Sequence, residues 1–175
     1  VEEHNLKFDS FINCAGFEET IPLKQYNNSK IFEIFTVNIF STIEILRLFS
    51  LKKYSNDGSS VVLVSSVMGN LGQPGKIGYC SSKAAINGLV KSSALELSKR
   101  KIRVNSVSPG IVNTELTQRL FLEVGQESRN RIIEKHPLGI GEVEDVVPAV
   151  LFLAIGKSQW ISGIDLIVDG AYSAE

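Results

Sequence analysis

Val61-Val62-Leu63-Val64-Ser65-Ser66, followed after a glycine-bearing loop by the long helical stretch from Tyr79 to Arg100, decides the fold. The run Val61–Val64 lacks the alternation of a half-exposed strand, so it suits the centre of a parallel sheet covered on both faces. To its N-terminal side, Phe8 to Cys14 is a short apolar run closed by Ala15-Gly16, which reads as a buried strand running into a turn. Asn28 or Ser29 caps a helix continuing to about Lys53, and Asn56-Asp57-Gly58 marks a turn. To its C-terminal side, Ala84, Ala85 and Gly88 give the Tyr79–Arg100 helix a surface for close packing. Ile102 to Val107 is a further strand stopped by Pro109-Gly110, and Thr114 to His136 is charged and weakly periodic, readable as helix. Glu144 to Ala154 is a helix with Pro148 in its first turn or at a kink, and Ile164 to Val168 is the last strand.

This order predicts the α/β class: a doubly wound parallel sheet with right-handed crossovers, forming one domain over residues 1–175. In such sheets ligands bind beyond the carboxyl ends of the strands, and those ends carry Asn13, Ser66 and Pro109-Gly110. Composition narrows the partners. The chain has 175 residues, 43% of them hydrophobic, which fits one domain and excludes a disordered chain. A net charge of −1 lacks the basic excess of proteins that bind nucleic acid or anionic membranes. The greasiest segment, Ile31 to Phe49, is interrupted by Glu33, Asn38, Glu44 and Arg47 and does not read as a membrane span. The opening Val1-Glu2-Glu3-His4-Asn5 is acidic where a signal peptide is basic. Cys14 and Cys80 are too few for a disulfide framework, and His4 and His136 have no ligand companions at useful spacing. No metal is expected, both histidines read as surface residues, and a reduced, cytoplasmic protein is the expectation.

Tyr79 and Lys83 stand four apart on a helix and so share a face. That spacing alone is weak, because Tyr26 and Lys30 repeat it. Context separates the pairs: Tyr79 follows Ser66 by thirteen residues, and Ser66 closes the buried strand at its ligand-facing end. A tyrosine hydroxyl titrates near pH ~10, so acid–base work near neutrality is easier if a neighbouring ammonium lowers it. Ser66 would then orient the oxygen that exchanges a proton with Tyr79. Ser66 is not a hydrolase nucleophile, since its surroundings are not Gly-x-Ser-x-Gly.

Together these segments resemble the short-chain dehydrogenase/reductase family, classical type, and within it the 3-oxoacyl-(acyl-carrier-protein) reductases. Asn13-Cys14-Ala15-Gly16 is similar to the family's Asn-Asn-Ala-Gly turn, and Asn38 stands where the family has a helical asparagine. Ser65-Ser66-Val67-Met68-Gly69 and Tyr79-Cys80-Ser81-Ser82-Lys83-Ala84 resemble the catalytic stretch. Asn105 to Thr114 resembles the strand and loop over the nicotinamide, and Gly163 with Val168-Asp169-Gly170 the closing strand. The resemblance implies an enzyme moving hydride between NAD or NADP and a carbonyl or secondary alcohol. Tyr79 is then the proton donor or acceptor, Lys83 lowers its pKa and binds the ribose, Ser66 orients the carbonyl and Asn38 completes a proton relay. Asn13, Ala15, Gly16, Tyr79, Lys83, Pro109, Gly110, Val112 and Thr114 form the cofactor side. Residues 114–136 become a substrate lid, with Leu116, Leu120 and Phe121 lining an apolar pocket.

The substrate stays open between a 3-oxoacyl thioester and a sugar, polyol or small ketone, because Gly78 differs from the asparagine common in the acyl-carrier branch. A dimer or tetramer is implied. Lys99-Arg100-Lys101-Arg103 could dock an acidic partner such as acyl carrier protein, although cations also suit a helix C-terminus. A catalytically silent scaffold is the alternative from another class. The family's phosphate-binding glycine turn has no counterpart here: Gly69-x-x-Gly72-x-x-Gly75 and Gly139-x-Gly141-x-x-Glu144 have the wrong pattern and context. The sequence therefore reads as the C-terminal portion of a longer protein, with about 60–70 residues of βαβ structure expected before it. The Phe8 strand would then be an open edge.

Overall fold

The computed structural model describes residues 6–174, so His4 lies outside the described residues. Four strands, β1 (Phe8–Asn13), β2 (Ser55–Val64), β3 (Arg103–Pro109) and β4 (Asp165–Val168), form one sheet in the order β1-β2-β3-β4. All three pairings are parallel. Among the described residues β1 pairs only with β2 and forms one edge of the sheet.

Alternation along the strands divides the core into two layers. Val61, Leu63 and Val104 meet Leu46, Phe49, Ile86 and Val90 on one face. These come from α2 (Ser41–Phe49) and α3 (Ile77–Leu97). Val62 and Val107 meet Leu153 and Ala154 of α6 (Val143–Ala154) on the other. Helices therefore cover both faces, and Val61 and Val62 are each 0% exposed, as the unbroken apolar run predicts.

Several boundaries differ from the sequence expectation. The first helical region is α1 (Asn28–Phe35), a π-helical segment (Thr36–Phe40) and α2, ending at Phe49 rather than near Lys53. Its cap is Asn27, whose side chain accepts from the Lys30 amide. Asn56-Asp57-Gly58 is not a turn between elements but an irregularity inside β2: Phe8 pairs with Ser55 and Ser10 with Ser60, and Gly58 takes φ +81°. Pro148 sits in the second turn of α6, where it cannot donate to the Glu144 carbonyl. Gly88 faces open space; the close approach to α3 comes from Gly69, where a Cβ would lie 2.9 Å from the Lys83 carbonyl carbon.

The basic run 99–103 is not one outward patch. Arg100 donates to Asp57 at 2.7 Å and to the Ser50 and Ser55 carbonyls at 2.8 Å. Arg103 is buried and donates to the Leu153 carbonyl (2.8 Å), the Ser158 hydroxyl (2.8 Å) and the Ile155 carbonyl (3.2 Å). It thus satisfies carbonyls that the C-terminal end of α6 leaves without intrahelical donors. His136 is likewise buried, not on the surface. It stacks on Tyr172 with ring centres 4.5 Å apart, and Nδ1 donates to the Ile132 carbonyl at 2.7 Å.

Replacing Arg103 by Leu strands those acceptors, and the variant is expected to lose about 2–4 kcal/mol of unfolding free energy. Arg103→Lys, which keeps the charge without the fork, should fall between. Denaturant unfolding of the three proteins checks the order.

Candidate active site

Beyond the C-terminal ends of β1, β2 and β3 lies an open cleft of about 330 Å³. Three loops and one helix build it. The loop after β1 supplies Cys14, Gly16, Phe17 and Glu18; the loop after β2 supplies Ser66; the loop after β3 supplies Pro109, Gly110, Val112 and Thr114; and α3 presents Tyr79 and Lys83. The structure therefore brings Ser66, Tyr79 and Lys83, predicted from spacing and strand context, to one wall. Asn13 and Ala15 do not line this cleft. Asn13 shapes the turn instead, accepting from the Ala15 amide (3.1 Å) and donating to the Thr42 hydroxyl (2.9 Å).

The helix register explains the shared wall. Tyr79 and Lys83 lie one turn apart near the start of α3, and the ammonium of Lys83 reaches the Val64 carbonyl at the end of β2, 2.9 Å away. Ser65 ties the same junction by donating to the Lys83 carbonyl at 3.1 Å. The Ser66 hydroxyl accepts from the Met68 amide (3.2 Å), which holds the turn after β2.

Asn38, in the π-helical segment, is buried and fully committed. Its amide donates to the Phe17 carbonyl (3.1 Å) and the Ser82 hydroxyl (2.9 Å), and its oxygen accepts from the Phe17 amide (3.0 Å). The side chain therefore ties the loop after β1 to α3. Gly16 lies between the two groups: a Cβ there would meet Asn38 Oδ1 at 3.3 Å and Lys83 Nζ at 3.4 Å.

The electrostatics differ from the expected acidic phenol. Burial pushes the Tyr79 hydroxyl up to about 12; the Ser66 side chain, close enough to hydrogen-bond it, pulls the other way, and the Glu18 carboxylate adds to the rise. Burial pulls Lys83 down to about 8, with Cys14 opposing. The expected lowering of Tyr79 by Lys83 is absent because desolvation dominates both groups and the ammonium is turned to the Val64 carbonyl. At neutral pH the arrangement holds a protonated phenol and a charged amine side by side.

Glu18 and Lys76 were not legible in the sequence. They form an ion pair (2.8 Å) on the cleft wall, with side chains only 18% and 5% exposed. No motif links two residues in separate loops; only the fold joins them. Tyr26 and Lys30, the decoy pair, serve packing. Lys30 bridges Glu19 and Glu33, each at 3.2 Å. The Tyr26 hydroxyl occupies the space a Cβ at Gly78 would take, which explains why residue 78 has no side chain. Leu116 and Leu120 of α4 (Glu115–Glu123) line the cleft, whereas Phe121 lies in a separate groove with Arg129 over its ring. The remainder of the 114–136 stretch forms α5 (Gln126–Glu134).

Among the described residues no cluster of three or more His, Cys, Asp or Glu could hold a metal ion, and no helix is long and apolar enough to cross a membrane. Comparison with known proteins places these features in context. Residues 1–173 match the family model described as enoyl-(acyl carrier protein) reductase. The chain is 32% identical over 165 residues to 3-oxoacyl-[acyl-carrier-protein] reductase of Thermotoga maritima, covering 94% of this chain and 65% of the relative. It is 34% identical over 163 residues to carbonyl reductase family member 4 of Xenopus laevis, covering 93% and 65%. The chain thus spans 65% of the length of these two curated relatives. A short chain dehydrogenase family protein from Francisella tularensis superposes with a TM-score of 0.90 at 28% identity, over 98% of this chain and 74% of the other. A 4-hydroxyisoleucine dehydrogenase complexed with NADH does so with a TM-score of 0.90 at 28% identity, over 99% and 72%.

The buried ammonium has a stability consequence with a definite sign. Lys83 titrates near 8 when folded and near 10.5 when unfolded, so its charged form costs the fold about 3 kcal/mol below pH 8. That cost is relieved as pH rises from about 8 to 10.5, where the unfolded chain holds more protons. Lys83→Met is expected to be more stable than the parent at pH 7, with the difference shrinking toward pH 10. Denaturant melts at both pH values test this.

Proposed function

Because the chain belongs to the short-chain dehydrogenase/reductase family, we propose that it interconverts a carbonyl and a secondary alcohol, with NAD or NADP as hydride carrier. The observation that carries this reading is the convergence of Tyr79, Ser66 and Lys83 on the cleft at the carboxyl ends of the strands.

The residues present fit a nicotinamide dinucleotide. Gly16 lets a ligand approach the backbone beside Lys83, and Lys83 Nζ has donors beyond the one given to Val64. Lys83 and Tyr79 would hold the ribose, and the Pro109–Thr114 rim, including Gly110 and Val112, would hold the nicotinamide end; Asn13 and Ala15 shape the turn that sets Gly16. When bound, the cofactor supplies the hydride. The protein's own part is proton delivery and orientation. Tyr79 Oη, kept protonated by its raised pKa, gives its proton to the oxygen of the reduced carbonyl, and Ser66 Oγ orients that oxygen. Lys83 contributes positive charge beside the phenol that loses the proton.

The substrate admits two assignments. The relatives' names favour a 3-oxoacyl thioester, while the polar wall formed by Glu18 and Lys76 favours a smaller hydroxylated carbonyl compound. Exposed Phe32, Phe40 and Ile43 along α1–α2 support assembly into a dimer or tetramer. An acyl carrier protein partner draws its support from the relatives' names alone, since Arg100 and Arg103 are engaged internally. A cytoplasmic setting is part of the same proposal, as is a substrate-lid role for residues 114–136.

Tyr79→Phe is expected to lower carbonyl reduction by about 10²–10⁴-fold while cofactor binding, followed by nicotinamide fluorescence, is weakened far less because Lys83 still holds the ribose. Unchanged reduction would remove Tyr79 from the mechanism. Reduction by the parent should hold steady below pH 8 and decline as Lys83 loses its charge near 8. Alcohol oxidation, which needs the phenolate, should instead gain from rising pH because Tyr79 titrates near 12. Rates measured in both directions between pH 6 and 10 check both signs.

A further inference from the structure

From the cleft wall beside Tyr79 we infer that Lys76 and Glu18 together read a neutral hydroxyl group of the substrate, so that the substrate is a hydroxylated carbonyl compound of the sugar or polyol type. This rests on the carbonyl/alcohol chemistry proposed for the same cleft.

The ion pair lies on the wall shared by two cavities. Glu18, Lys76, Leu116 and Leu120 border both the catalytic cleft and an adjoining space of about 390 Å³ also lined by Arg119. The pair joins the loop after β1 to the residue that precedes α3, three positions before Tyr79. As a structural tie alone it is a poor choice, because taking two charges out of water offsets much of their attraction, and apolar side chains would serve as well. What it adds is unused hydrogen-bonding capacity at the cleft surface. An ammonium has three donors and a carboxylate about four acceptor sites, and their mutual contact uses one of each.

Three kinds of substituent can be compared at this wall. A methylene chain would cover the pair while leaving its remaining donors and acceptors unpaired, which is costly. A carboxylate drawn to Lys76 would also face Glu18, so attraction and repulsion largely cancel. A hydroxyl both donates and accepts, and is satisfied by the two charged groups at once. Leu116 and Leu120, which line the same cleft, offer an apolar surface to the carbon-bound hydrogens of a polyol.

The purified protein, supplied with NADH or NADPH, is assayed on three carbonyl compounds: erythrulose, 2-butanone and the N-acetylcysteamine thioester of acetoacetate. Erythrulose is expected to exceed the other two in kcat/KM by about 10–100-fold, and Lys76→Met to shrink that ratio by about the same factor. Lys76→Arg, which keeps charge and donors, should retain the preference. Preference of the parent for the thioester or for butanone overturns the inference. So does an equal loss on all three compounds in Lys76→Met with a native melting transition, which would make the pair a structural tie. Binding of erythritol, followed by ligand-observed NMR, separates this inference from the reaction on which it rests. Lys76-dependent erythritol binding without turnover of any carbonyl compound supports the hydroxyl site and removes the carbonyl chemistry. No binding together with no turnover overturns both.

Discussion

A charged amine enclosed by protein, with a backbone carbonyl as its partner, is the constraint around which this molecule is arranged. Lys83 is 6% exposed, and among the described residues it forms no ion pair. Its ammonium is held by the Val64 carbonyl, the point where the central apolar strand gives out. For the contact to form, β2 must end at that position and α3 must present its first turns there. The loop between them must also pass close enough that residue 69 has no side chain. Val61 to Val64 secure the strand by burial on both faces, so the hydrophobic layers of the sheet set the place of one polar group. The desolvation that destabilises the charged lysine also keeps the neighbouring phenol protonated.

Around that junction the side chains divide between holding and presenting. Asn13, Asn38, Ser65 and Ser82 face inward, each hydrogen-bonded to backbone or to another buried polar group. They fix the loop after β1 against α3 and leave Gly16, Ser66 and Tyr79 open to the cleft. Positioning through buried, fully paired polar groups suits a site in which small displacements are costly.

The sequence was legible where periodicity and strand context coincided. The unbroken run before Ser66 marked a central strand, and the helical spacing of Tyr79 and Lys83 placed both on the wall that Ser66 reaches. It was less legible where a side chain's partner lies far along the chain. Nothing local distinguishes Arg103 from its basic neighbours, yet it ends up buried under the last turn of α6. His136 carries no local sign that Tyr172 will stack on it. Asn56-Asp57-Gly58 has the composition of a turn, and the chain does bend there, but the neighbouring strand absorbs the extra residues within β2. The resemblance to a family supplied roles by position; the structure adds that the Asn38 side chain braces a loop and that burial raises the Tyr79 hydroxyl where a lowering was expected.

The π-helical segment at Thr36–Phe40 interrupts what would otherwise be one helix between Asn28 and Phe49. A π turn holds about one residue more than an α turn, which rotates everything beyond it by about 100°. Ile34 before the segment and Leu46 after it can both face inward only because the helix changes phase between them. The same segment carries Asn38, the residue that reaches across to Phe17 and Ser82. Removing one residue from this segment would turn the stretch beyond it by about 100°, so Ile34 and Leu46 could no longer both face inward.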